Sequence, residues 1–475
     1  MTETASSSGR YRGKPVATLA VAVAVAALAT CAGCALGHNY HRPDVQVPES
    51  IRGQSGEPDA ATLADLGWWE VFADSDLQAL LTEAVAANHD LKAATARVEQ
   101  ERQLVGVARA DLLPHIDYSA QATRERSQIT TTKQTFNSFL GAFSLAWEID
   151  LWGRIRRLTE AATAEFYAAE DVRRGVLLTV SSDVATSYFE LIDLDQEMAI
   201  ARESADSFRE TRDLFNHRFE GGIGTLLEVS RADAALSGAE SQIPDIQSQI
   251  TAKENQICVL LGRIPGPIER GSSLAQPAIA ARIPVGLPSE LLQRRPDVLQ
   301  AEHDVMAANA EAGAALASFF PRFGLTSLYG GQSSELEDIV KHANYIWAVG
   351  GTLSGPLFEG GRLLASYRAQ NAQLDEAVEH YSQSTVQAFG EVSSLLVSHD
   401  TLRSVRERRA DQVEQLRTSV RLSLQRYRDG IASYYEVLEA QQQFFPSQVD
   451  LVRTQRDELV TMISLYRALG GGWKL

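Results

Sequence analysis

Residues 218–229 read RFEGGIGTLLEV and residues 426–437 read RYRDGIASYYEV. Both spell Arg-aromatic-x-x-Gly-Ile-x-x-x-x-Glu-Val, 208 positions apart. Gly153-Arg154 and Gly361-Arg362 share that offset, as do Leu261-Gly262 and Leu469-Gly470. Upstream, Asp90-Leu91 answers Asp297-Val298 and Pro114 answers Pro321, each pair 207 apart. The one-residue change is expected in the segments DLWGR and LFEGGR. Internal repetition constrains a fold more than any local pattern, because each copy must form the same supersecondary unit. Each half is expected to contain a helix, two short strands, a long helix, a turn and a further helix.

The long helices are readable from what does not interrupt them. From Arg154 to Glu220 the only Gly or Pro is Gly175, and from Arg362 to Asp429 it is Gly390. A helix of about 65 residues runs roughly 100 Å at 1.5 Å per residue. Leu374, Val378, Tyr381, Thr385, Ala388, Val392, Leu395, His399 and Leu402 alternate steps of four and three. Val180, Val184, Ser187, Leu191, Leu194, Met198 and Ala201 keep the same rhythm. That is heptad spacing. Many seam residues are small or polar, so the seam is weaker than a leucine zipper. Heptads alone fit a rod or a dimeric coiled coil equally well.

The strands change the reading. HIDYSAQATRERS lies between the first helix and Gly153, followed by Phe139, Gly141, Phe143, Leu145 and Trp147 at every second position. The second half repeats this in RFGLTSLYGG and in Tyr345, Trp347, Val349, Gly351 and Leu353. Period-two stretches of about ten residues with aromatic ends suit transmembrane β-strands, and soluble hairpins share the pattern. Four strands cannot close a barrel, and an open sheet edge cannot face lipid. Bacterial barrels begin at about eight strands. Several chains must then pool strands in a symmetric oligomer, and three chains give twelve.

At the N-terminus, Arg10, Arg12 and Lys14 precede the apolar run VATLAVAVAVAALA and then Cys31, Ala32, Gly33 and Cys34. This is the order of a secretory signal peptide. Ala32 and Gly33 before Cys34 fit a lipoprotein processing site, with diacylglycerol and fatty acyl groups expected on Cys34. Cys31 is the rival site, and a single membrane helix is the alternative for the whole run. His38 and His41 are metal-ligand types without a third ligand nearby, and are read as loop residues. The Pro-, Gly- and Ser-rich stretch to Asp59 reads as an extended tether.

Net charge is −17, which argues against a nucleic-acid partner. Three cysteines make no disulfide framework. The chain holds no G-x-S-x-G elbow, phosphate-binding loop or H-E-x-x-H pair, so no enzyme, cofactor or metal site is expected. Gly221-Gly222-x-Gly224 is expected at a helix–helix turn, and Cys258 in an apolar helical core.

Several strings in this order resemble the outer membrane factor family of TolC-like channels, especially its lipoprotein branch. They are CALGHNY at Cys34, WWEVFADSDLQALL at Trp68, EIDLWGRIRR at Glu148, GLPSELLQRRPDV at Gly286, RYRDGIASYYEVLEAQ at Arg426 and LYRALGGGW at Leu465. His38 departs from the pattern, which has proline there. The resemblance covers essentially the whole mature chain. It implies a homotrimer in the outer membrane, serving a resistance-nodulation-division type efflux system. A periplasmic adaptor and an inner-membrane pump would dock at the helix tips. It also implies a periplasmic gate ringed by Tyr435 and Glu439, with Arg426 and Tyr427 holding the inner hairpin shut. Tyr435 and Glu439 stand four apart and share a helix face. Three such carboxylates about an axis would attract cations. The first-repeat counterpart of Glu439 is Arg231, so the two tips differ in charge. Glu228 is the expected partner of Arg426.

The expected fold is thus mainly α with a membrane β-barrel: duplicated long-helix hairpins, four transmembrane strands per chain, a twelve-stranded barrel and an α-helical tunnel formed by a trimer. The expected parts are a signal peptide at 1–33, a lipid-anchored tether at 34–73 and a first repeat at 74–262. An equatorial linker at 263–288, a second repeat at 289–470 and a tail at 471–475 follow. In the first repeat the strands are expected over 115–147, with helices 153–219 and 225–262. In the second they are expected over 322–354, with helices 361–429 and 432–470. The function expected is a passive exit duct for small toxic compounds such as drugs. The alternatives are a non-conducting coiled-coil periplasmic lipoprotein, or an exit duct for metal ions or secreted protein.

Overall fold

The computed structural model describes residues 35–54, 74–129, 132–271 and 288–471. The signal peptide, Cys31 and Cys34 lie outside the described residues. Eight α-helices and four strands occur among them, numbered here in chain order. The first repeat holds α1 (Ser75–Ala87), α2 (His89–Ala110), β1 (His115–Ile129), β2 (Thr132–Ile149), α3 (Arg154–Glu220) and α4 (Leu226–Leu260). The second holds α5 (Pro288–Arg294), α6 (Pro296–Ala317), β3 (Arg322–Ser333), β4 (Tyr345–Ser354), α7 (Arg362–Arg428) and α8 (Tyr434–Ala468). No described helix is long and apolar enough to cross a membrane.

The leading helix of each repeat is broken, which periodicity did not reveal. Asn88 and Arg295 stand at the breaks, 207 apart. Asn88 Oδ1 caps α2 by accepting from Leu91 N at 2.9 Å, while its Nδ2 donates to the Leu260 carbonyl at 2.8 Å. Arg295 Nη1 donates to the Ala468 carbonyl at 3.0 Å. Leu260 and Ala468 are themselves repeat counterparts at the ends of α4 and α8. Each repeat therefore staples its first helix pair to the end of its last helix. Gly262 and Gly470 complete the joint at φ +68° and +77°; a Cβ there would lie 2.6 Å from Ala87 O and 2.9 Å from Arg294 C. Only glycine tolerates both the left-handed backbone and the close approach.

The chain divides into two compact units, and neither follows the repeat boundary. One comprises Met1–Pro43, Glu99–Tyr167 and Glu302–His380; the other comprises Asp44–Val98, Ala168–Ala301 and Tyr381–Leu475. Each takes matching pieces from both repeats.

The first unit contains the sheet, an antiparallel meander in the order β1-β2-β3-β4. Strands β1 and β2, at 15 and 18 residues, are longer than the ten-residue stretches expected from alternation. The registers carry Tyr118, Phe143, Tyr329 and Trp347 into one row across all four strands. Opposed residues share a face, and these four rings are 58–82% exposed. Ile116, Leu145, Leu325, Val349 and Leu353 extend the same face. The opposite face presents Asp117, Gln121, Ser144, Thr326 and Thr352. A sheet that leaves its aromatic face bare and its other face polar matches a barrel wall between lipid and lumen.

The same registers relocate the one-residue change between repeats. His115 pairs with Ala146 and Arg322 with Ser354. The second member of each pair is already offset by 208, as are Gly153 and Gly361. The change therefore lies in the strand hairpins, and DLWGR aligns with FEGGR without a gap.

The segment after the expected lipidation site is pinned rather than free. Buried Arg157 donates to the carbonyls of Leu36 at 3.0 Å and Gly37 at 3.3 Å, and to Asn39 Oδ1 at 3.2 Å. Asn309 Nδ2 donates to the His38 carbonyl at 3.0 Å, and Tyr40 to Glu302 at 3.0 Å. Glu302, Arg157 and Asn309 thus hold an irregular stretch that its composition marked as a tether.

In the second unit all seven heptad positions named on α3 are buried. On α7 the seam from Tyr381 keeps Thr385, Ala388, Val392 and His399 buried, with Leu396 buried in place of the half-buried Leu395. Each fully buried Leu or Ile contributes about 1.5–3 kcal/mol, so small seam residues give a looser rod.

Candidate functional site

The two helix turns are built alike, because the repeat supplies the same residues. At the first, the Arg218 carbonyl accepts from Ile223 N and Gly224 N, both at 3.0 Å, with Gly222 at φ +75°. At the second, the Arg426 carbonyl accepts from Ile431 N at 2.9 Å and Ala432 N at 3.2 Å, with Gly430 at φ +73°. Both are glycine-ended helix C-caps that satisfy otherwise orphaned carbonyls.

The starts of the next helices differ. Thr225 and Glu228 form a capping box: Glu228 Oε2 accepts from Thr225 N at 2.7 Å, and Thr225 Oγ1 accepts from Glu228 N at 3.3 Å. Ser433 makes no side-chain cap. Its repeat partner to Glu228 is Glu436, which instead lies 3.7 Å from Arg426 Nε. The expected Arg426–Glu228 pair is therefore not formed. Glu228 is committed to its own helix start, and Arg426 takes the equivalent carboxylate of its own repeat.

Tyr427 is 5% exposed. Its ring meets that of Phe215 at 5.4 Å, edge on, and Arg218 places its guanidinium 4.9 Å above it. Val229, Ala232 and Val437 complete the cluster, so Tyr427 ties α7 to α3, α4 and α8. Burial raises the Tyr427 hydroxyl pKa, the Arg218 charge lowers it, and Glu228 raises it. Tyr435 is 55% exposed and Glu439 is exposed, four residues further along α8. Glu439 Oε1 accepts a long contact from Gln443 at 3.4 Å. Arg231 does not approach Glu439; it donates to Tyr434 Oη at 2.8 Å. Tyr434 also meets Phe215 at 5.8 Å. Sequence reasoning passed over Tyr434, Phe215, Arg218 and Glu436. The 208 offset from Glu228 points to Glu436, and Thr-x-x-Glu marks the capping box.

Further along α8 the hairpins are joined by partly buried polar contacts. Gln441 donates to Ser207 Oγ at 2.9 Å and Thr211 Oγ1 at 3.0 Å. Arg453 donates to Glu197 at 2.9 Å and Arg456 to Asp193 at 2.7 Å. Asp193 is fully buried. Burial pushes its carboxyl up to about 6, against the lowering charge of Arg456 and with the help of Glu197. These links lie where α8 meets α3, so any movement of the second hairpin against the first must strain them.

The described residues bring together no catalytic constellation. The acidic trio Glu335, Glu337 and Asp338 sits in the β3–β4 loop, with Lys341 already paired to Asp338.

The family described as Outer membrane efflux protein matches residues 80–263 and again 287–471, once per repeat. The chain belongs to this family. It is similar to the solvent efflux pump outer membrane protein SrpC of Pseudomonas putida, 33% identical across 94% of this chain and 97% of that one. It is also similar to the cation efflux system protein CusC of Escherichia coli O6:H1, 29% identical across 93% and 96%. Among solved structures, the outer-membrane channel OprN matches with a TM-score of 0.88 at 28% identity, covering 93% of this chain and all of that one. The protein is an outer-membrane efflux channel component with a helical tunnel and a strand barrel, and its family is one of ducts rather than enzymes.

Proposed function

We propose that three copies of this chain form a passive exit duct for small apolar toxicants such as organic solvents and drugs. The carrying observation is the sheet: among the described residues it has four strands, one bare aromatic face, one polar face and two open edges. Such a sheet is stable in lipid only when further copies close it, and twelve strands close a barrel. A periplasmic adaptor and an inner-membrane pump open the duct at its periplasmic tip, and the pump drives the transport. Acyl groups on Cys34 anchor the N-terminus in outer-membrane lipid, and Arg157 fixes the segment that follows.

Tyr435 and Glu439 line the periplasmic gate. The Tyr427 cluster holds it closed, with Arg426 and Glu436 contributing an exposed ion pair and Glu228 stiffening the neighbouring helix start. SrpC is named for solvent efflux, and that relative supports the small-apolar reading. CusC, named for cation efflux, supports a second reading in which the exposed Glu439 serves a metal-ion path. The test is deletion of the gene followed by challenge with toluene or with a panel of metal cations. Loss of solvent tolerance alone supports the first reading; loss of metal tolerance alone overturns it.

A further inference from the structure

Where the sheet meets the helices, the two repeats keep the same basic positions but not the same carboxylates. His115 and Arg322 correspond at an offset of 207, and Arg154 and Arg362 at 208. In the first repeat His115 Nε2 lies 3.6 Å from Asp111, and Glu148 accepts from Arg154 at 3.0 Å. Asp150 caps α3, accepting from Ile155 N at 3.2 Å and Arg156 N at 2.9 Å. The counterparts of Asp111, Glu148 and Asp150 are Ser318, Pro356 and Phe358. The second repeat therefore lacks all three carboxylates, while it keeps both basic residues and the helix start.

In their place is a cavity of about 400 Å³ bounded by Ser318, Arg322, Ser354, Glu359, Arg362 and Ser366. Glu359 is the one carboxylate among its described lining residues, and Arg362 pairs with it. Arg322 has no carboxylate within ion-pair distance among the described residues. Asp111 and Glu148 share a second cavity with it, but His115 and Arg154 already engage them. The Ser318 hydroxyl donates to the Ala314 carbonyl at 3.0 Å, whereas those of Ser354 and Ser366 make no hydrogen bond among the described residues. Leu363 N and Leu364 N are the counterparts of the two N–H groups that Asp150 caps. Neither has an acceptor among the described residues.

We propose that this cavity is an oxyanion site, taking the phosphate, sulfate or carboxylate group of a small molecule where the first repeat uses its own carboxylates. Arg322 supplies the unpaired charge and a planar fork suited to two oxygens. Ser354 and Ser366 supply hydroxyl donors. Leu363 also lines the cavity, so the positive end of the 67-residue α7 adds to the attraction. Arg322 pairs with Ser354 across β3 and β4, on the polar face that also carries Thr326 and Thr352. On the barrel reading above, that face lines the duct, and the site holds anionic compounds in transit. The site itself needs only one chain.

The test is the phosphorus-NMR line width of inorganic phosphate titrated with the purified full-length protein at fixed ionic strength. Two charge-assisted contacts correspond to a Kd of about 1 mM. Ser318→Asp restores the carboxylate that the first repeat sets beside His115, Phe358→Asp restores the helix cap, and Arg322→Gln removes the cation. Wild type should give saturable broadening that sulfate competes away. Affinity should fall roughly tenfold in Ser318→Asp and Arg322→Gln, and about threefold in Phe358→Asp. Phospholipid that co-purifies with wild type, blocks the titration and is lost in those variants would keep the site and assign it to a lipid headgroup. Equal broadening by wild type and all three variants is non-specific adsorption and overturns the proposal. No saturable broadening, in protein without such lipid, also overturns it. A one-chain particle that still binds phosphate would overturn the trimer reading and leave the site standing.

Discussion

Replacing Tyr427 with alanine should open the proposed gate far more than replacing Arg426. Tyr427 is buried, packed edge on against Phe215 and covered by Arg218. Truncating a buried aromatic side chain costs about 3–5 kcal/mol. If half of that is specific to the closed arrangement, the closed state loses about 2 kcal/mol, roughly a thirtyfold shift toward open. The Arg426–Glu436 pair spans 3.7 Å with side chains 54% and 47% exposed. Exposed pairs contribute about 0.2–1 kcal/mol, a shift of about fivefold at most. The assay is time-averaged conductance of each purified variant in planar bilayers. Tyr427→Phe keeps the ring and should stay near wild type. Equal opening by Arg426→Ala and Tyr427→Ala would refute the view that packing, rather than the surface ion pair, holds the hairpins.

On the sheet, Val349→Arg puts a charge on the apolar face and should cost about 2–4 kcal/mol near the bilayer midplane, seen as loss of protein from the outer membrane. Thr352→Arg, on the polar face, should assemble normally and shift conductance toward anions; loss of both variants alike would contradict the face assignment. At the first turn, Thr225→Ala removes the capping box and should cost about 1 kcal/mol, measured as faster protease nicking at residues 220–226. Asp193 carries a folded-state pKa raised to about 6, so its contribution is full below the unfolded value near 4 and is lost as pH rises through 6. Asp193→Asn should therefore gain on wild type from pH 4 to 7, by about 3 kcal/mol at most, in melting experiments; a constant difference across that range would show that Asp193 does not titrate there.

Much of the architecture was legible because it depends on long-range periodicity. The 208 offset, the uninterrupted stretches of α3 and α7 and the alternating strands each survive without knowledge of partners. What stayed hidden depends on single side chains reaching across sequence. The breaks at Asn88 and Arg295 need the carbonyls of Leu260 and Ala468, which lie 172 and 173 residues away. Arg426 was matched to Glu228 by proximity to the other tip, but a capping box had already taken Glu228. The tether composition of residues 35–42 gave no sign of Arg157, because buried guanidinium contacts to carbonyls leave no local pattern. The place of the one-residue change between repeats emerged only from the strand registers, since alternation preserves its face under a shift of two.

The central claim is that this chain is one third of a conducting pore. The direct measurement is single-channel recording on protein extracted from the outer membrane, with its mass determined in the same detergent. The account predicts a particle of three chains with discrete conductance steps, enlarged by Tyr427→Ala. A one-chain particle, or a three-chain particle that passes no current even with Tyr427→Ala, would contradict it.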